Sequence, residues 1–63
     1  MVTRTALMAL MRDVFESPKE AEKWWRAPHP MLNGRSPAAT ARSQRGAEQV
    51  RDILISLRFG GVV

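Results

Sequence analysis

The sequence predicts an all-α fold: a small single domain of three to four short helices with a proline-rich loop and an apolar C-terminal tail. Three observations carry this expectation. Apolar residues recur at helical spacing in two stretches, Leu7 to Phe15 and Ala47 to Leu57. Ser-Pro occurs at Ser17-Pro18 and again at Ser36-Pro37, each pair having the form of an N-cap followed by a first helical residue whose missing N–H costs nothing. All four prolines, both tryptophans and the only Asn-Gly pair fall between Ser17 and Pro37, which marks a short helix feeding a stiff loop.

The first helix is expected over about residues 3–16. Leu7, Leu10, Met11, Val14 and Phe15 share one face, with Arg12, Asp13 and Glu16 away from it. The second, over about 18–27, opens on a capping box made by Ser17 and Glu20, and Pro28 and Pro30 forbid it to continue. It carries Ala21, Trp24 and Trp25 on one face. Almost nothing separates the two helices, so they form a tight corner with Phe15 in reach of the tryptophans. Trp24 is expected to pack between the first and last helices, in a core with Leu10, Val14, Val50, Leu54 and Leu57.

The loop from Pro28 to Gly34 turns at Asn33-Gly34, and its apolar residues Met31 and Leu32 need a surface to pack on. A short helix over about 37–42 follows, made of Ala38, Ala39, Thr40 and Ala41. The last helix, over about 44–58, is capped by Ser43 and tolerates Gly46 at a modest cost relative to alanine. Ala47, Val50, Ile53, Leu54 and Leu57 form an arc about 120° wide, opposite Glu48, Arg51, Asp52 and Arg58. Ile55 projects from the polar side, where a monomer has no use for it. Gly60 suits the left-handed residue that closes a helix. Beyond it Gly61, Val62 and Val63 make an apolar end that either docks on a partner or folds back over the core of its own domain.

Composition narrows the function. A 63-residue chain buries only about 60% of its unfolded surface, so the core is thin and a partner or a second copy of the chain has stability to add. With 44% hydrophobic residues and two tryptophans the chain is not a disordered type. The absence of cysteine excludes a disulfide framework and thiolate metal sites. No apolar run approaches the roughly 20 residues of a membrane span, and Val2 to Met11 is interrupted by Arg4 and too short for a signal peptide, so no membrane association and a cytoplasmic address are expected.

The net charge of +4 is concentrated: residues 23–47 hold Lys23, Arg26, Arg35, Arg42 and Arg45 and no acid. Two readings of that stretch stand side by side, a solvated positive face and a small basic nucleic-acid-binding module using Arg26, Arg35, Arg42 and Arg45. Sequence-specific DNA reading by these residues alone is not expected. A reading helix presents Arg, Asn or Gln at its start, and the second helix spends its short length on tryptophans. A dimerisation module, using Ile55 and the loop, is a further reading.

Catalysis has little to draw on. His29 is the only histidine and lies between two prolines, there is no tyrosine, and Glu16, Glu20 and Glu22 cluster where a helix dipole accounts for them. No phosphate-cradling glycine loop is present. A binding module without cofactor, metal or catalytic residues is the expectation.

With these residues in view, the chain from about Leu7 to Val63 resembles the toxin-binding domain of the Xre/MbcA/ParS antitoxins, the partners of RES-domain toxins. The resemblance rests on an ordered set: Val14-Phe15 ending an apolar helix, Ala21 and Trp24, then Pro28, Leu32, Gly34 and Pro37, then Gly46, Val50, Leu54, Leu57 and a closing Gly60 with an apolar tail. It implies a small helical unit. It also implies an antitoxin of a type II system that binds a RES-type, NAD-degrading toxin and obstructs its active site with its C-terminal end. Toxin contacts then fall on Arg58, Phe59, Gly60, Gly61, Val62 and Val63, with Ile55 and the loop residues Met31 and Leu32 as further candidates. At two points the chain departs from the family pattern. Members usually carry an upstream DNA-binding helical domain that these residues do not contain, and larger aliphatics are usual at Thr40-Ala41, so a looser third helix or a shallower groove is expected.

Overall fold

The computed structural model describes residues 1–60. Among them the chain forms four α-helices and one 3₁₀ turn: α1 (Arg4–Val14), α2 (Pro18–Arg26), the turn Pro30–Leu32, α3 (Pro37–Thr40) and α4 (Gln44–Phe59). No strand occurs among the described residues, and the fold is all-α. No described helix is long and apolar enough to cross a membrane.

Each helix starts on a hydroxyl cap. Thr3, Ser17, Ser36 and Ser43 stand in extended conformation, and each side-chain oxygen accepts the backbone N–H three residues on, at 3.0 to 3.2 Å. These bonds satisfy donors that a helix start leaves without an intrahelical partner. The ends are set by proline. Ser17 precedes Pro18 and Ala27 precedes Pro28, and the residue before proline is pushed out of the helical region. The chain therefore leaves α2 at Ala27 (ψ 145°), while α1 has already ended at Phe15 (ψ 138°), two residues short of the expected end and ahead of the Ser17 cap. α3 is likewise shorter than expected, ending at Thr40, because Ala41 (ψ 2°) turns the chain toward the Ser43 cap.

The core is the pairing of α1 with α4, with α2 and α3 closing its sides. Leu7, Val50 and Leu54 have 1% or less of their surface exposed, and Met11, Trp25, Leu32, Ala47 and Ile53 complete the cluster. The indole at the centre is therefore Trp25, not the expected Trp24. Adjacent helical residues point about 100° apart, and the tight corner after Ser17 rotates α2 so that Trp25 turns inward. Trp24 is half-buried, tilted against Phe15 at 5.6 Å between ring centres and edge-on to His29 at 6.0 Å. Leu10, Val14 and Leu57, also expected in the core, are half-buried and pack against its rim.

Gly46 carries more than the modest propensity cost expected of it. A Cβ there would stand 1.7 Å from the carbonyl oxygen of Thr40, so the first turn of α4 lies directly on the end of α3. Gly60 is not left-handed; it has φ −143° and donates its N–H to the carbonyl of Ser56 at 3.0 Å. Gly61, Val62 and Val63, the apolar end of the expected tail, lie outside the described residues.

Candidate functional site

The loop between α2 and α3 is a closed ring of backbone bonds. His29 donates its N–H to the Arg35 carbonyl at 3.0 Å, and its own carbonyl accepts from Leu32 and Gly34 at 3.0 and 3.1 Å. The His29 imidazole caps the 3₁₀ turn, its Nδ1 accepting the Met31 N–H at 3.1 Å. Asn33 (φ 59°) and Gly34 (φ 79°) are both left-handed, a conformation asparagine and glycine adopt at low cost. This closure turns the two apolar loop residues opposite ways. Leu32 is buried and anchors the ring to the core; Met31 is 58% exposed. Leu32 is thus withdrawn from direct contact with a partner, whereas Met31 is presented.

Met31 stands against α4. Together with Asp52, Ile53 and Ser56 it lines a shallow depression of about 100 Å³. Helical spacing places Asp52, Ile55, Ser56 and Phe59 on the side of α4 opposite Val50 and Leu54. Phe59 is 75% exposed and Ile55 36%. Met31, Ile55 and Phe59 thus leave three large apolar side chains in water on and beside the last turns of α4. Charge flanks them: Arg58 reaches back to Asp13 of α1 at 3.4 Å and lies 5.2 Å from the centre of the Phe59 ring. Arg58, expected as a toxin contact, is in this state a bridge between α4 and the end of α1. Gly60 continues from this surface, and Gly61 to Val63 follow it in the sequence.

Two other concavities lie elsewhere. An apolar groove of about 420 Å³ runs between α1 and α2, lined by Met8, Met11, Phe15, Pro18 and Ala21 with charged Arg12 and Glu22 at its rim. A polar hollow of about 330 Å³ lies where α3 meets α4, among Arg35, Arg42 and Arg45. Met8 of the groove escaped sequence reasoning, and its position three residues before Met11 was the available signal. The basic stretch was legible; the convergence of three of its arginines was not, because it depends on how the loop returns to α4. Among the described residues no group of three His, Asp or Glu side chains is placed to hold a metal.

The family model describing the antitoxin Xre/MbcA/ParS C-terminal toxin-binding domain matches residues 11–60. The match takes in the end of α1, the tryptophan helix, the closed loop and all of α4. No curated protein and no solved structure matches the chain.

Proposed function

The chain belongs to the Xre/MbcA/ParS antitoxin family by its C-terminal toxin-binding domain, and from that premise we propose that it is the antitoxin of a RES-domain, NAD-degrading toxin. In this reading it acts by occupying the toxin, not by chemistry of its own. The contact surface is Met31, Ile55 and Phe59, and the segment Arg58 to Val63 enters the toxin's active site and excludes the dinucleotide. The observation that supports this reading is the placing of exposed Phe59 and Ile55 on the solvent side of α4, at the end that leads into the tail. Exposed large apolar side chains grouped on a small protein mark a docking surface. Two glycines at 60 and 61 let a chain bend into a concave site, two valines at 62 and 63 supply apolar surface, and Arg58 can meet the polar groups that a dinucleotide pocket carries.

The test is co-expression with the candidate toxin, read by cellular NAD. Deleting Gly60 to Val63 should leave a folded protein that binds the toxin more weakly and no longer protects NAD. Phe59→Ala with Ile55→Ala should weaken co-purification itself. Full protection by the shortened protein would overturn the tail as the blocking element. Undiminished binding by the double variant would overturn the contact surface.

A further inference from the structure

We infer that the hollow between α3 and α4 is a second interaction site, one that takes a phosphate of a nucleic-acid backbone. Arg35 from the end of the loop, Arg42 from the link after α3 and Arg45 from the first turn of α4 line this one concavity. None of the three has a carboxylate within 4.0 Å among the described residues. Of the other five arginines three are paired, Arg26 with Glu22, Arg51 with Asp52 and Arg58 with Asp13. Arg4 lies over the Trp25 ring, and Arg12 has no ion pair among the described residues. What sets Arg35, Arg42 and Arg45 apart is that they line one concavity. Arg45 also sits in a first helical turn that contains no acid, where its charge opposes the positive end of the helix dipole. Three like charges brought together without a counter-charge are unfavourable to the free chain, and an anion set among them removes that repulsion.

The lining favours phosphate over a protein surface. Besides the arginines it is made largely of hydroxyl and amide groups, Thr40, Ser43 and Gln49. Protein contacts are dominated by buried apolar and aromatic anchors, and the exposed Ile55 and Phe59 lie toward the other end of α4. Guanidinium forks match phosphate oxygens in pairs. A phosphate contact of this kind positions a protein on a duplex without reading its sequence. From Arg45 to Phe59 the helix rises about 21 Å, which separates the hollow from the Phe59 end of the proposed toxin surface.

The experiment is fluorescence anisotropy of a labelled mixed-sequence DNA duplex with the full chain, repeated across salt concentrations. One phosphate neutralised in the hollow contributes about −0.9 to the slope of log K against log salt, and the variant without the three charges should lose that contribution. R35Q/R42Q/R45Q should bind at least about tenfold more weakly at low salt, while R35K/R42K/R45K should keep the salt slope because the point charges remain. Unchanged helical circular dichroism and unchanged co-purification with the toxin separate this site from the function proposed above. Equal duplex binding by the Gln variant overturns the inference. So does a polyglutamate chain that binds as tightly as the duplex, which would mark an acidic protein as the partner, or saturation by inorganic phosphate without duplex binding.

Discussion

Gly46→Ala tests the fold at the point where sequence and structure give opposite signs. On helix propensity alone, replacing a glycine within a helix by alanine stabilises by up to about 1 kcal/mol. In the structure the new Cβ lies 1.7 Å from the Thr40 carbonyl oxygen and 2.7 Å from its carbon, against an ordinary contact that begins at 3.4 Å. The end of α3 and the start of α4 must therefore part by roughly 1.7 Å. The opposing atoms are backbone and have no rotamer to escape into. α3 is itself pinned by buried Pro37 and by the Thr40 hydroxyl, which donates to the Ser36 carbonyl at 2.9 Å. Overpacking costs about 1–3 kcal/mol and more where backbone must move. Taking the upper end and subtracting the propensity gain leaves a net loss of about 2 kcal/mol. For a domain of this size that lowers the melting temperature by about 8–16 °C, a large part of a total stability of about 3–9 kcal/mol. Thermal unfolding followed by circular dichroism reads it. Gly34→Ala is the control: nothing lies within 4 Å, so only the strain of a positive φ acts there, about 1 kcal/mol. A Gly46→Ala protein that melts at or above the wild-type temperature would refute the close approach of α3 and α4.

The tryptophans should separate cleanly in urea unfolding: Trp25→Ala removes the buried indole and costs about 3–5 kcal/mol, enough to abolish cooperative unfolding. Trp24→Ala loses the half-buried contacts with Phe15 and His29 and costs about 1–2 kcal/mol; the reverse order would show that the wrong indole has been placed inside. Ser43→Ala removes the bond to the Gly46 N–H at 3.0 Å and should lower the melting temperature by about 4–8 °C, whereas Ser43→Asp should keep it.

The legible parts of the fold are those written in local chemistry. Serines before Pro18 and Pro37, and Ser43 before α4, announce helix starts because a cap needs only residues within three positions of itself. The all-α class follows from periodicity that no other backbone accommodates. What stayed hidden depends on contacts between elements. Trp24 and Trp25 both fit the spacing from Ala21, and only the corner at Phe15 to Ser17 decides which turns inward. Leu32 and Met31 are adjacent and equally apolar, and the bonds that close the ring between His29 and Arg35 decide which is buried. Gly46 gives no local sign of its role, since the atom it must avoid belongs to Thr40. The proposed toxin contacts divide the same way: exposure at Ile55 could be read from helical phase, while the pairing of Arg58 with Asp13 required α1 to be in place.

The energetics of the exposed surface bear on how much of the proposed binding it can supply. Burying a side chain of the size of Met31, Ile55 or Phe59 contributes about 1.5–3 kcal/mol if it is fully exposed at the outset. Ile55 already has most of its surface covered and Met31 and Phe59 a part, so the three together offer about 2.5–5 kcal/mol. Association costs about 4–15 kcal/mol in lost translational and rotational freedom before any affinity appears. The patch alone therefore orients a complex without holding it tightly, and releasing Arg58 from Asp13 adds little, because an exposed pair at 3.4 Å is worth under about 1 kcal/mol. On the proposed reading the remainder comes from the segment that follows Phe59, to which Val62 and Val63 contribute apolar surface. If they bury fully, two valines contribute about 3 kcal/mol, or roughly a hundredfold in affinity. Calorimetric titration of the toxin with the full chain and with the chain lacking Gly60 to Val63 should show a loss of that order. A loss of less than about threefold would mean that the groove between α1 and α2, not the tail, supplies the missing area.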